Sequence, residues 1–132
     1  MPLHLLLVTP EKKVVETEAD DVQLPGSEGY LGILPGHAPL MTLLKTGVLS
    51  FRRSGAGEAY AVSSGFAEIA GDAVSVLADS AEGAREIDAG AAERERAKAE
   101  EEMKTAGVDT LDGIRSRFEL AEARLSVARR PG

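Results

Sequence analysis

Few of this chain's side chains could make or break a bond. Its 132 residues include no cysteine and only two histidines, His4 and His37. Without thiols there are no disulfides, thiolate metal sites or cysteine nucleophiles. Two histidines leave little for a zinc centre or a catalytic triad. Ser63-Ser64-Gly65 has the look of a nucleophile turn, yet it lacks the Gly-x-Ser-x-Gly pattern and neither histidine is near it in sequence. Asp20-Asp21 and Glu100-Glu101-Glu102 fall on an expected turn and an expected solvated helix face, where nothing would shift their pKa values. The chain reads as non-catalytic, with no metal site and no required cofactor. What remains is recognition, and two places stand out for it: a Gly- and Pro-rich bend carrying His37, and a basic stretch near the end.

Composition narrows the partners. Fifteen basic residues against 22 acidic ones give a net charge of -7, which argues against DNA as a main partner. Aromatics make up 4% and there is no Trp, so a base-stacking platform is not expected. A hydrophobic fraction of 43% is enough for a packed core. The apolar run Leu5-Leu6-Leu7-Val8 is far shorter than the roughly 20 residues a spanning helix needs. It has no basic flank or small-residue cleavage site, so the expectation is a soluble chain without a signal peptide.

Two regions must position these candidates, and they differ in periodicity. Five of the six prolines lie in the first forty residues, and charge density rises sharply from Arg85 onward. Residues 1–84 read as short strands. Leu3–Thr9, Val14-Val15, Val22–Leu24, Gly47–Arg52, Ala59–Val62, Phe66–Ile69 and Val74–Leu77 are the candidates. Pro25-Gly26 should stop the third, Ser54–Gly57 should be a hairpin loop, and Gly71-Asp72 a turn. Regular spacing with Gly-rich turns suggests a small β-sandwich or barrel.

Residues 85–132 read as two helices. Asp88 is a plausible N-cap for a helix from Ala89 to about Ala106, with Gly107 as its stop. Asp109 or Thr110 should cap a second helix from Leu111, with Asp112 in its first turn. Ala89, Ala92, Arg96, Ala99, Met103 and Ala106 face Leu111, Ile114, Phe118, Ala121, Leu125 and Ala128 at heptad spacing. The short connection forces an antiparallel hairpin. The fold class is therefore α+β: a small N-terminal β-sandwich followed by an antiparallel two-helix hairpin. One helix offers mostly methyl groups to the seam, which suits either an element that detaches or a close-packed alanine pair that never opens.

The most specific stretch is Gly29-Tyr30-Leu31-Gly32-Ile33-Leu34-Pro35-Gly36-His37-Ala38-Pro39-Leu40. On its residues alone it is a well-made turn that presents a histidine. Gly-Ile-Leu-Pro-Gly-His-Ala-Pro-Leu also resembles the signature of the ε subunit of F-type ATP synthases, called δ in mitochondria. The resemblance extends to the opening strand, Gly47, Ser64-Gly65-Phe66, the Ile87-Asp88 start of an Ala/Glu/Arg-rich hairpin, and Arg124-Leu125-Ser126-Val127-Ala128.

That resemblance implies a central-stalk rotor subunit. Its sandwich would bind the γ subunit and the c-ring, and so help couple rotation to ATP synthesis. Its hairpin would lie folded or extend into the α/β hexamer to inhibit ATP hydrolysis. The complex would sit peripherally on the cytoplasmic face of a bacterial membrane, without direct insertion. The resemblance places Glu28, Tyr30, Leu31, His37 and Met41 at the rotor interface. Each reads equally as a turn or core residue, Met41 most of all. It places Arg115, Arg117, Arg124, Arg129 and Arg130 against an acidic segment of β, where they could otherwise form a solvated charged face.

Some family members bind ATP through an Ile/Leu-Asp-x-x-Arg-Ala motif and second-helix arginines. Here the run is Ile87-Asp88-Ala89-Gly90-Ala91-Ala92, with Ala91 at the motif arginine, and Arg124 is kept while Leu120 stands at the other basic position. Missing guanidinium groups mean missing phosphate donors, so ATP binding is expected to be weak or absent. A stand-alone nucleotide sensor or adaptor is the alternative reading.

Overall fold

A computed structural model describes residues 2–130; Met1 and the Pro131-Gly132 end of the expected helical region lie outside the described residues. Ten strands come first: β1 (Leu3–Val8), β2 (Lys13–Ala19), β3 (Asp21–Gly26), β4 (Gly29–Ile33), β5 (Leu40–Leu44), β6 (Gly47–Arg53), β7 (Ala56–Val62), β8 (Gly65–Ala70), β9 (Ala73–Ala78) and β10 (Ala81–Gly83). A 3₁₀ turn at Ala84–Glu86 leads to α1 (Ala89–Met103) and α2 (Val108–Ala128).

Strand order runs β10-β7-β6-β3-β5-β8-β9-β1-β2, with β4 on the other side of β3. β1 and β9 pair in parallel and every other described pairing is antiparallel. The single pair Gly26–Leu44 joins β3 to β5, so the sheet folds over there into two layers. Leu3, Leu5 and Leu7 of β1, Val74 and Val76 of β9, Leu24 of β3 and Leu49 and Phe51 of β6 fill the space between. Period-two alternation explains this: alternate residues of each strand turn toward this core. The core holds no buried polar or charged side chain among the described residues.

The expected strands are present, with corrections at their ends. β3 runs through Pro25-Gly26 instead of stopping there, because its tip continues into a two-residue turn at Ser27-Glu28 with β4. The β6–β7 loop is only Ser54-Gly55. Both residues have positive φ, the turn that matches strand twist, so pairing extends to Arg53–Ala56. β5 and β10 had no alternation long enough to show in the sequence.

The helices are also shifted. α1 ends at Met103, where the Lys104 N–H bonds back to the Glu101 carbonyl. Gly107 is extended, not left-handed, so it does not terminate α1. It is instead the N-cap of α2, its carbonyl accepting from Thr110 and Leu111. Asp109, not Asp112, lies in the first turn. Asp88 does cap α1, accepting the Ala91 N–H at 3.0 Å. The seam closes where Ala92, Ala99, Ala121 and Leu125 are buried, whereas Leu111, Ile114 and Phe118 toward the tip stay half-exposed. A second stripe on α2, Ala123 and Val127, packs on Val48 of β6 and Ala61 of β7.

Candidate functional site

The bend after β4 is a tight Leu34–His37 turn: the His37 N–H donates to the Leu34 carbonyl, and the Gly36 N–H donates to Asp72 Oδ1 at 2.9 Å. His37 is half-buried, and its Nδ1 lies 2.7 Å from the Ala38 carbonyl. A carbonyl can only accept, so Nδ1 carries the proton and Nε2 is left as the acceptor of the neutral ring. Glu28 sits exposed at the tip of the β3–β4 turn. Leu31 is half-buried against the sandwich core.

Tyr30 has two roles. Its side chain is 61% exposed, yet its hydroxyl accepts the Val48 N–H at 2.9 Å. A Cβ at Gly47 would stand 2.7 Å from that hydroxyl and 2.9 Å from Pro25 Cβ. Glycine at 47 therefore lets β6 approach both residues, which ties the β3–β4 hairpin to the layer beside it.

Met41 is not a core residue: it is 65% exposed on β5. Two residues on, Leu43 shares its outer face. Leu43 pairs with Phe66 of β8, and Phe66 with Leu77 of β9. These three exposed apolar side chains form a row across the layer that carries no helix. Ser64-Gly65-Phe66 is what positions the row. A Cβ at Gly65 would lie 1.9 Å from the Leu77 carbonyl oxygen, so only glycine lets β8 and β9 close up there.

The arginines of α2 are mostly engaged. Arg117 reaches Glu95 and Glu102 of α1 at 3.1 and 3.0 Å, and Glu102 first, then Glu95, hold its guanidinium more firmly protonated than usual. Arg124 Nε donates to Glu82 of β10 at 2.6 Å. Arg129 lies 3.5 Å from Glu93 of α1, a carboxyl held below its ordinary 4.5 chiefly by Arg96. Arg115 meets only Asp112 of its own helix among the described residues. Arg130 lines a groove with Asp21, Arg52 and Glu58 at the far end of the β3–β6–β7 face.

Ile87, Asp88 and Arg124 do come together, in a cleft of about 520 Å³ where α1 and α2 meet β10. Glu82, Glu86 and Glu95 share it, with Arg117, Ala91 and Leu120. Four carboxylates therefore face two arginines that already have carboxylate partners. The arrangement suits holding the helices in place better than receiving a polyanion.

Residues 2–84 match the family model described as ATP synthase, Delta/Epsilon chain, beta-sandwich domain. The chain belongs to this family. The ATP synthase epsilon chain of Myxococcus xanthus is 43% identical over 121 residues, covering 92% of this chain and 85% of the relative. That of Herpetosiphon aurantiacus is 43% identical over 131 residues, covering 98% and 96%. Among solved structures, a chain of the Euglena gracilis mitochondrial ATP synthase is 20% identical with a TM-score of 0.84, covering 98% of this chain and 82% of that one. A chain from the Tetrahymena thermophila mitochondrial ATP synthase central stalk and c-ring structure has a TM-score of 0.63 at 16% identity, covering 97% of each chain. At those identities the likeness is one of fold.

As a delta/epsilon chain, the protein is a non-catalytic subunit of ATP synthase. No helix among the described residues is long and apolar enough to cross a membrane. Sequence reasoning missed Leu43 and Leu77 as surface residues of this delta/epsilon chain. Phe66-Ala67-Glu68-Ile69 held the usable signal, because alternation sets Phe66 on the side of Glu68, away from buried Ala67 and Ile69.

Proposed function

We propose that the helix-free layer of the sandwich is the rotor-binding surface, and that the helical pair governs ATP hydrolysis from the opposite side. One observation carries this reading: the exposed row Leu43–Phe66–Leu77, continuous with Met41 on β5, in a chain of the stalk family. Large apolar side chains on one open face mark a protein interface. The γ subunit is the partner for that row. The c-ring is the partner for the β3–β4 turn and the bend, where Glu28, Tyr30 and His37 offer polar contacts, while Leu31 supports them from the core side.

Residues 85–132 act as a separate regulatory region. When the helices leave the sandwich, Arg115, Arg117, Arg124, Arg129 and Arg130 are freed to meet acidic surface of the α/β hexamer. The complex then sits peripherally on the cytoplasmic face of the membrane. The acid-lined cleft supports weak or absent ATP binding.

Deleting residues 85–132 tests both halves. The expected product is a folded sandwich that still co-purifies with γ, in an enzyme whose ATP hydrolysis is no longer held back. Loss of assembly on truncation would overturn the division of labour. Micromolar ATP binding to the isolated chain by calorimetry would overturn the reading of the cleft.

A further inference from the structure

The two helices are fastened to their neighbours by different means. α1 meets α2 through Ala92, Ala99, Ala121 and Leu125, with Arg117 and Arg129 reaching across to α1 carboxylates. α2 meets the strands through Ala123 and Val127 on Val48 and Ala61. Ala59 and Ile87 border this patch, and with mostly small side chains it buries limited area, so it stabilises docking only modestly.

Among the described residues, one ion pair joins either helix to the strands: Arg124 with Glu82, at 2.6 Å. Both side chains are about two-thirds sheltered or more, at 31% and 27% exposed. Such a pair is screened less than one in open water. Glu82 lies on β10, immediately before the 3₁₀ turn that leads into α1, so the pair bridges the connection over which the helices would swing. That turn is itself held to the β1–β2 loop, where Lys12 approaches Glu86.

We propose that the Arg124–Glu82 pair is the latch that keeps the helical pair on the sandwich, so that the balance between docked and released helices is set by charge and responds to ionic strength. The proposal rests on the reading of the helices as detachable. It adds the contact that decides how readily they leave.

The chain has no cysteine, so Ser75→Cys on β9 and Ser116→Cys on α2, both exposed, can carry spin labels for pulsed distance measurements on the isolated chain. Glu82→Gln or Arg124→Gln should raise the released fraction about two- to fivefold, the range for a partly exposed pair. Combining them should add little more. Raising salt from roughly 0.05 to 0.5 M should release the unsubstituted chain more than either variant. Arg115→Gln, which breaks a pair within α2, should change nothing. Identical distance distributions in all chains, or helices that stay docked at every salt, would overturn the latch. That result would leave the inhibitory reading standing. A truncation that fails to relieve hydrolysis would remove the inhibitory reading and leave the latch measurable.

Discussion

The two outer faces of the sandwich are made of similar strands and meet very different surroundings. On the β6–β7 face, Val48 and Ala61 are small, and they lie under Ala123 and Val127 of α2. On the β5–β8–β9 face, Leu43, Phe66 and Leu77 are large and open to water. On the proposed reading, a covered face held by small side chains, Ile87 and one ion pair has less to give up on opening than a core of large side chains. An open face built from Leu and Phe gains most when something of matching shape arrives. The difference suggests a division: a lasting partner on the open side, a removable one on the covered side.

Substitutions can break that comparison at either face. Leu43→Glu with Phe66→Glu should abolish co-purification of γ, the largest effect expected. Because both positions are exposed, thermal unfolding should move by no more than about 0.5 kcal/mol per site. Survival of the complex would show that the row is not the interface. Gly65→Val attacks the close approach beneath the row. With a Cβ 1.9 Å from a carbonyl oxygen, it should cost on the order of 3 kcal/mol in denaturant melts, because the β8–β9 backbone must separate.

On the covered face, Val127→Asp would bury a carboxylate without a partner, a penalty of several kcal/mol against docking. It should expose the helices to hydrogen exchange while γ still co-purifies. If γ binding is lost as well, the two faces are not independent. The smallest expected effect is an acid one. Arg96 and Lys13 hold the folded-state pKa of Glu93 and of Glu16, respectively, below the ordinary 4.5. Their contribution is therefore fully present above that value and is lost as pH falls through the lowered pKa. An acid titration followed by circular dichroism should show a shallow loss of helical signal, smaller in Glu93→Gln.

Much of this was legible in the chain itself. Alternation in Phe66–Ile69 and Val74–Leu77 marked strands, and heptad spacing in Ala92, Ala99, Ala121 and Leu125 marked a helical seam, because both periods are local geometry. Asp88 announced a helix start for the same reason: a cap bonds within three residues. Gly107 misled because glycine suits both ends of a helix, and only its extended φ shows which end it serves here.

What the residue order alone determined was the type of most elements and the Leu34–His37 turn, whose His37-to-Leu34 bond closes over three residues, whereas β5, β10 and the Gly36–Asp72 bond were not legible in it. Which strands lie side by side, and so that Leu43, Phe66 and Leu77 make one row, was decided by register between segments distant in sequence. Likewise Arg124 finds Glu82 across 42 positions, and nothing near either residue marks the other. Contacts of that kind come from how the layers fold over each other, and the tertiary structure alone sets them.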